Sequence, residues 1–219
     1  MGKKEIKIIS PSLQALPNFN FDLGLNELIN SEIKALHIDL MDATVTPSFG
    51  INPNVLLNKK IENLIIDFHI MSSNPINLIK TIPNVKNCFV HTHLRMVENY
   101  FDFINEAKKF NYDVGVTIDL NDNLNELKSF ISEIKFVNFM SVVNIGRTGE
   151  MFDERVYKKI DEFKNLYGDQ FIFCVDGSIR EQHLEILKNK SNLMVVGSIL
   201  YKSENWKEKV YELEKTLNS

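Results

Sequence analysis

The sequence predicts an α/β chain folded as a (β/α)8 barrel, a TIM barrel, with residues 1–219 forming a single domain. Three observations carry that prediction. Short apolar runs rich in Ile, Val and Phe, the composition of buried parallel strands, recur eight times. Longer stretches between them repeat apolar residues three and four apart, the period of an amphipathic helix. The turn after the first run, SPSLQALPN (10–18), has no glycine, whereas an open doubly wound sheet usually has a Gly-rich turn there.

In order, the expected strands are IKIIS (6–10), ALHIDL (35–40), NLIIDFHI (63–70), NCFVH (87–91), DVGVTI (113–118), FVNFMSVV (136–143), FIFCV (171–175) and LMVVG (193–197). Helical periodicity marks 96–110, 123–134, 154–167 and 205–217. No linker, low-complexity tract or charge block divides the chain. Hydrophobic residues make up 44% and charged residues 25%, with net charge −4, an ordinary balance for a soluble globular protein. The mild acidity argues against a nucleic-acid or membrane-surface partner, which would call for a basic patch. Cys88 and Cys174 sit in apolar runs and read as buried free thiols in a reducing compartment. No run is long enough to span a bilayer, MGKKEIKIIS lacks a signal-peptide core, and Ile6 breaks the myristoylation pattern. A cytoplasmic location is expected.

In such a barrel the chemistry gathers where strands end. Strand 2 reads HIDLMD (37–42), and alternation puts His37, Asp39 and Met41 on one face. Strand 3 ends in His69, strand 4 in His91, and strand 7 runs into Asp176. Each could be an ordinary hydrogen-bonded group, since most buried polar groups have partners. Together His37, Asp39, His69 and Asp176 form a two-imidazole, two-carboxylate set suited to one divalent ion such as Zn, Mn, Fe or Co. Asp67 shares the parity of His69 and reads equally as a partner deeper in the barrel or as half of a buried salt bridge. Asp42 reads as an orienting group or as the start of a loop. His93 reads as a loop residue and Cys174 as core.

Glycine-bearing turns follow three successive strands: NIGRTGE (144–150), DGS (176–178) and GS (197–198). Turn glycines are common in themselves. At these strand ends, however, they let backbone N–H groups approach an anion. Arg147 and Thr148 add a charge and a hydroxyl. An anion cradle facing a metal set suggests a small phosphorylated ketose. A cation would polarise the ketone, two carboxylates would exchange the proton beside it, and Met41 and Met71 would line the wall. A lyase or decarboxylase barrel would want a lysine among these groups, and strands 2, 3 and 7 end in none.

The pieces SPSL (10–13), LHIDLMD (36–42), DFHIMSSNP (67–75), MFDERVYKKI (151–160), VDGSI (175–179) and VVGSILY (195–201) resemble the ribulose-phosphate 3-epimerase family over nearly the whole chain. The resemblance implies a metal-dependent barrel that epimerises a ketose phosphate at C3, interconverting D-ribulose 5-phosphate and D-xylulose 5-phosphate. It implies His37, Asp39, His69 and Asp176 as metal ligands, with Asp39 and Asp176 also exchanging protons. Ser12 and His69 would touch the sugar. Gly146 to Gly149, Gly177, Ser178, Gly197 and Ser198 would hold the phosphate. Homo-oligomers are common in the family. The chain departs from the family's pattern at MDATVTPS (41–48), IDLNDN (118–123) and NIGRTGE. SPSL and VDGS look like the branch acting on D-allulose 6-phosphate. A sugar-phosphate-binding barrel without catalysis is the alternative of a different class.

Overall fold

The structure, a computed structural model, describes residues 7–17, 21–147 and 149–219. Its strands are β1 (Ile8–Pro11), β2 (Ala35–Met41), β3 (Ile65–Met71), β4 (Cys88–Thr92), β5 (Asp113–Ile118), β6 (Phe136–Met140), β7 (Ile172–Asp176) and β8 (Leu193–Val196). They pair in parallel in the order β1-β8-β7-β6-β5-β4-β3-β2. A parallel bridge between Ser12 and His37 brings the two ends of that sheet together, making a (β/α)8 barrel. Among the described residues the helices are α1 (Phe21–Asn30), α2 (Pro75–Ile79), α3 (Tyr100–Lys109), α4 (Arg155–Tyr167), α5 (Glu181–Leu187), α6 (Ser198–Tyr201) and α7 (Trp206–Asn218).

All eight expected strands form, with the fifth unchanged and no end shifted by more than three residues. Ile6 of the first run lies outside the described residues. The sixth strand stops at Met140, one residue before a last bond from the Ser141 amide across to the Asp176 carbonyl at 2.7 Å. Two helical expectations change. α3 starts at Tyr100 rather than 96, where the Asn99 side chain accepts from the Phe101 amide and caps the first turn. The 123–134 stretch forms two 3-10 turns, Leu124–Ser129 and Ile131–Glu133. Phe130 separates them with φ −130 and ψ 4, its ring stacked 4.3 Å from Tyr100. Tertiary packing of that one ring outweighs the helical period. The β2–β3 connection likewise carries only a 3-10 turn, Pro53–Leu56.

Strand alternation divides the residues into two sets. Leu36, Ile38 and Leu40 of β2 and Ile66, Phe68 and Ile70 of β3 point outward into the main core. The inward residues stack in layers, as barrel strands require. A floor of Ala35, Phe89, Phe136, Cys174, Leu193 and Val195 plugs the bottom. Phe136 lies 4.8 Å from Phe89 and 5.0 Å from His91, so truncating it to Ala would cost about 3–5 kcal/mol. Both cysteines are free and buried; burial pushes the Cys88 thiol up to about 12, and Cys174 well above its ordinary value. Above the floor the inward positions turn polar, and there the site is built.

Candidate metal and substrate site

Register places the polar layers. Across β2 and β3, His37 faces Asp67, Asp39 faces His69 and Met41 faces Met71. Acid and base thus alternate both along each strand and between them. The fourth member, Asp176, ends β7 on a different side of the barrel. The Oδ1 atom of Asp39 lies 3.2 Å from both His37 Nε2 and His69 Nδ1. The Oδ2 atom of Asp176 lies 3.5 Å from the same two nitrogens.

These residues fit one divalent cation on three counts. The four donor atoms lie within 4.8 Å of one another. Their 3.2–3.5 Å contacts match the spacing of roughly 3.3–3.6 Å between neighbouring donors held about 2.0–2.2 Å from one tetrahedral ion. Finally, the buried Nδ1 of His69 has no hydrogen-bond partner, though two carboxylate oxygens face it.

The electrostatics agree. Burial disfavours charge on His37, yet Asp67, Asp39 and Asp176 outweigh it and raise its pKa well above the imidazole value. Burial likewise opposes charge on Asp39, but His37 and His69 hold it below the usual carboxylate range. Asp67 follows the same pattern, with His37 and His91 prevailing over burial. A site that draws a proton onto His37 this strongly has excess negative charge, which a cation would neutralise in the proton's place. The side chains of Asp39 and Asp176 remain 13% and 15% exposed, while both imidazoles are sealed at 0%. Asp39, Asp176 and His69 all line the cleft, and of these the two carboxylates are the more exposed.

Outer partners hold the rings. Asp67 hydrogen-bonds His37 Nδ1 through one oxygen, a buried contact that is also an ion pair when His37 is protonated, and accepts from Ser10 Oγ at 3.2 Å through the other. His91 lies beneath, its Nδ1 2.7 Å from Thr117 Oγ1, and burial takes its pKa down to about 4. Asp42 sits in the following loop, accepting from Thr44 and from Ser72 Oγ at 2.6 Å. His93 corrects the sequence expectation. It is fully buried rather than in an open loop, because a parallel bridge to Thr117 carries the β4 pairing one residue past the strand. Burial, reinforced by His69 and Arg95, drives its pKa well below the ordinary value.

Over this cluster opens a cleft of about 480 Å³. Its walls include Ser12, Met41 and Met71 near the carboxylates and Gly146, Arg147, Gly149, Gly177, Ser178, Gly197 and Ser198 beyond. Thr148 lies outside the described residues. At Gly177, with φ +121, an added Cβ would meet Val142 Cγ1 at 2.8 Å, so the turn requires glycine. Gly146, with φ +65, packs on Thr46 from the loop after β2, where a Cβ would meet Thr46 Cγ2 at 2.6 Å. Two loops that depart from the family's pattern therefore form one wall. Arg180 and Lys202 also line the cleft, and sequence reasoning missed them. Their signal was weak: each is a basic residue a few positions beyond a glycine turn. Gly50 was missed as well. Its amide bonds the Met41 carbonyl at 2.9 Å and the next amide bonds the Asp39 carbonyl at 3.0 Å, hooking the loop onto the end of β2.

Comparison with known proteins extends this geometry. Residues 8–201 match the model of the Ribulose-phosphate 3 epimerase family. The chain is 23% identical over 215 residues to the ribulose-phosphate 3-epimerase of Buchnera aphidicola, covering 95% of this chain and 94% of the relative. It is 25% identical over 203 residues to that of Mycoplasma genitalium, covering 91% and 94%. Among solved structures, KGPDC from Streptococcus mutans superposes with a TM-score of 0.70 at 9% identity, covering 97% of each chain, which speaks for the barrel alone.

Proposed function

The chain belongs to the ribulose-phosphate 3-epimerase family, and we propose that it is a metal-dependent ketose-phosphate 3-epimerase acting on D-ribulose 5-phosphate and D-xylulose 5-phosphate. The observation that carries the reading is the convergence of His37, Asp39, His69 and Asp176 at a cleft also lined by glycine turns, Arg147, Arg180 and Lys202. Those four residues would hold one divalent ion. Bound there, it would supply Lewis-acid polarisation of the C2 ketone and offset the negative charge that develops as the C3 proton leaves.

The remaining chemistry belongs to the side chains. Asp39 and Asp176 reach the cleft from different strands, so one can take the C3 proton while the other delivers a proton to the opposite face. The pair holds one proton between them, and the two protonation states exchange with each turnover. His37, its Nδ1 held by Asp67, keeps its Nε2 beside Asp39 Oδ1 and so helps to orient that carboxylate. Met41, Met71 and Met140, packed with Met96, Val142 and Ile145, offer uncharged polarisable surface that excludes water from the reacting carbon. Gly177, Ser178, Gly197 and Ser198, with Arg147, Arg180 and Lys202, line the same cleft and would hold the phosphate.

The test is proton NMR of the purified protein in D2O, supplied in turn with Zn²⁺, Mn²⁺ or Fe²⁺. D-ribulose 5-phosphate and D-allulose 6-phosphate are offered in parallel. Deuterium exchange at C3 with appearance of the pentulose epimer is the expected result. Exchange with the hexulose alone would reassign the substrate. Undiminished exchange in Asp176→Asn would overturn the two-carboxylate mechanism.

A further inference from the structure

His69 does not end the hydrogen-bonded chain behind the cluster. Its Nε2 lies 2.9 Å from Nε2 of His93, and Nδ1 of His93 lies 2.9 Å from Oδ2 of Asp119. That same oxygen accepts from the Arg95 guanidinium. His69 and His93 are both fully buried, and Asp119 is largely so. None of Asp119, His93 and Arg95 touches the cleft. They follow β4 and β5, strands to which the proposed reaction assigns no role.

We infer that Asp119 and His93 form a carboxylate–imidazole–imidazole relay that fixes the tautomer of His69, making His93 a positioning residue for the cluster. The direction of each bond follows from donor inventory. A guanidinium can only donate, so Oδ2 of Asp119 is an acceptor, and His93 Nδ1 must donate to it. A neutral imidazole with its proton on Nδ1 has only a lone pair on Nε2. Across the 2.9 Å contact, His69 Nε2 must therefore donate. In the neutral ring that leaves the lone pair of His69 on Nδ1, the nitrogen facing Asp39 and Asp176 and lacking any hydrogen-bond partner. His37 reaches the same end more directly, with Asp67 on its outer Nδ1 and its Nε2 on the cluster. Both imidazoles thus have their outer nitrogen fixed, one by a carboxylate and one through a second imidazole.

The relay itself is testable without metal; its effect on ion affinity rests on the reading of His69 as a ligand. The first readout is the set of histidine side-chain ¹⁵N shifts of metal-free protein at pH 8, with His69 resonances identified by their loss in His69→Gln. A protonated Nε2 on His69 is expected; a bare Nε2 with the proton on Nδ1 alone would overturn the inference. The second readout is Co²⁺ affinity. His93→Phe keeps an aromatic ring but removes the acceptor, and should mix the His69 tautomers and weaken Co²⁺ binding about 10- to 100-fold. His93→Gln loses the ring but keeps an acceptor oxygen, and should restore affinity to within a few-fold of the parent. A purely structural ring would give the reverse order, with H93F tight and H93Q weak, and would overturn the inference. If H93F does not fold, Asp119→Leu leaves His93 in place and should show the same mixing. Failure of the parent to bind Co²⁺ while His69 keeps its Nε2 proton would refute the metal reading and uphold the relay.

Discussion

Asp39 and His69 are register partners on adjacent parallel strands, and their side chains meet with Oδ1 3.2 Å from Nδ1. Parallel register fixes this pair more firmly than any loop could. Both residues point inward on the same layer; β3 is paired on both sides, while the Asp39 carbonyl accepts from the Ile51 amide of the following loop. One layer down, the partners are exchanged, with His37 on β2 and Asp67 on β3. Each imidazole therefore has a carboxylate beside it on the next strand and another close to its inner nitrogen. The site is a consequence of two strands carrying complementary alternation.

The deeper pair gives the first prediction. Asp67→Asn keeps the volume and the Ser10 contact but removes the charge that faces His37 Nδ1. Divalent-ion affinity should fall about 10- to 100-fold, because the ligand ring loses its fixed orientation and some basicity. Unfolding free energy should drop by roughly 1–3 kcal/mol, as the buried network is left imperfectly matched. Titration with Co²⁺ and urea unfolding of metal-free protein measure the two effects separately. Unchanged affinity would mean that His37 is positioned by packing alone.

Gly50 gives the second. A Cβ there would lie 2.2 Å from the Asp39 carbonyl oxygen and 2.4 Å from the Met41 amide nitrogen. Both obstacles are backbone, so nothing flexible can yield, and Gly50→Ala must open the hook or shift the end of β2. A displacement of about 1 Å at Asp39 would lower kcat roughly 100-fold. Overpacking should cost about 1–3 kcal/mol of stability. Steady-state kinetics and thermal unfolding test this, and a variant with normal kcat would show that the hook does not set the position of Asp39.

The contrast between Asp39 and Gly50 shows what the sequence could reveal. His37, Asp39, His69 and Asp176 were legible because a strand alternates with period two, so HIDLMD and DFHIM each name one inward face. The apolar outward set was legible for the same reason. Gly50, Arg180, Lys202 and Asp119 act from loops, where no period links sequence position to direction. His93 was misplaced because its burial depends on a bridge to Thr117 from another strand, a long-range contact invisible in HTHLRM. The 123–134 stretch was misread because Phe130 answers to Tyr100 rather than to its own helical period.

The phosphate end yields the third prediction. Arg180 and Lys202 line the cleft together with the glycine turns proposed to hold the phosphate. They would contact the part of the substrate that does not change during the reaction. Their contribution should thus be equal in ground and transition states. Lys202→Met should raise KM for the sugar phosphate about tenfold with kcat within about twofold, and should weaken the salt dependence of kcat/KM. A large fall in kcat at unchanged KM would place Lys202 at the reacting carbon instead.

The fourth concerns pH and a group outside the cluster. Asp122 accepts from the Asp119 amide at 2.8 Å, in the turn that carries the relay carboxylate. Burial pushes its pKa up to about 6, with Glu126 adding to the rise and Arg95 and Lys159 opposing it. A carboxyl raised above its unfolded value of 3.8 binds more protons in the folded state between those two pH values. Its contribution to stability is therefore fully present below about pH 4 and is lost as pH rises through 6. Asp122→Asn keeps the acceptor for the Asp119 amide and cannot ionise. It should match the parent near pH 4 and exceed it at pH 7, by about 2–4 °C in Tm given the partial exposure of the group. Thermal unfolding across pH 4–8 decides the matter: a constant difference between the two proteins would mean that Asp122 titrates at its ordinary value, whereas a gap opening around pH 6 would locate the strained carboxyl in the turn that supports Asp119.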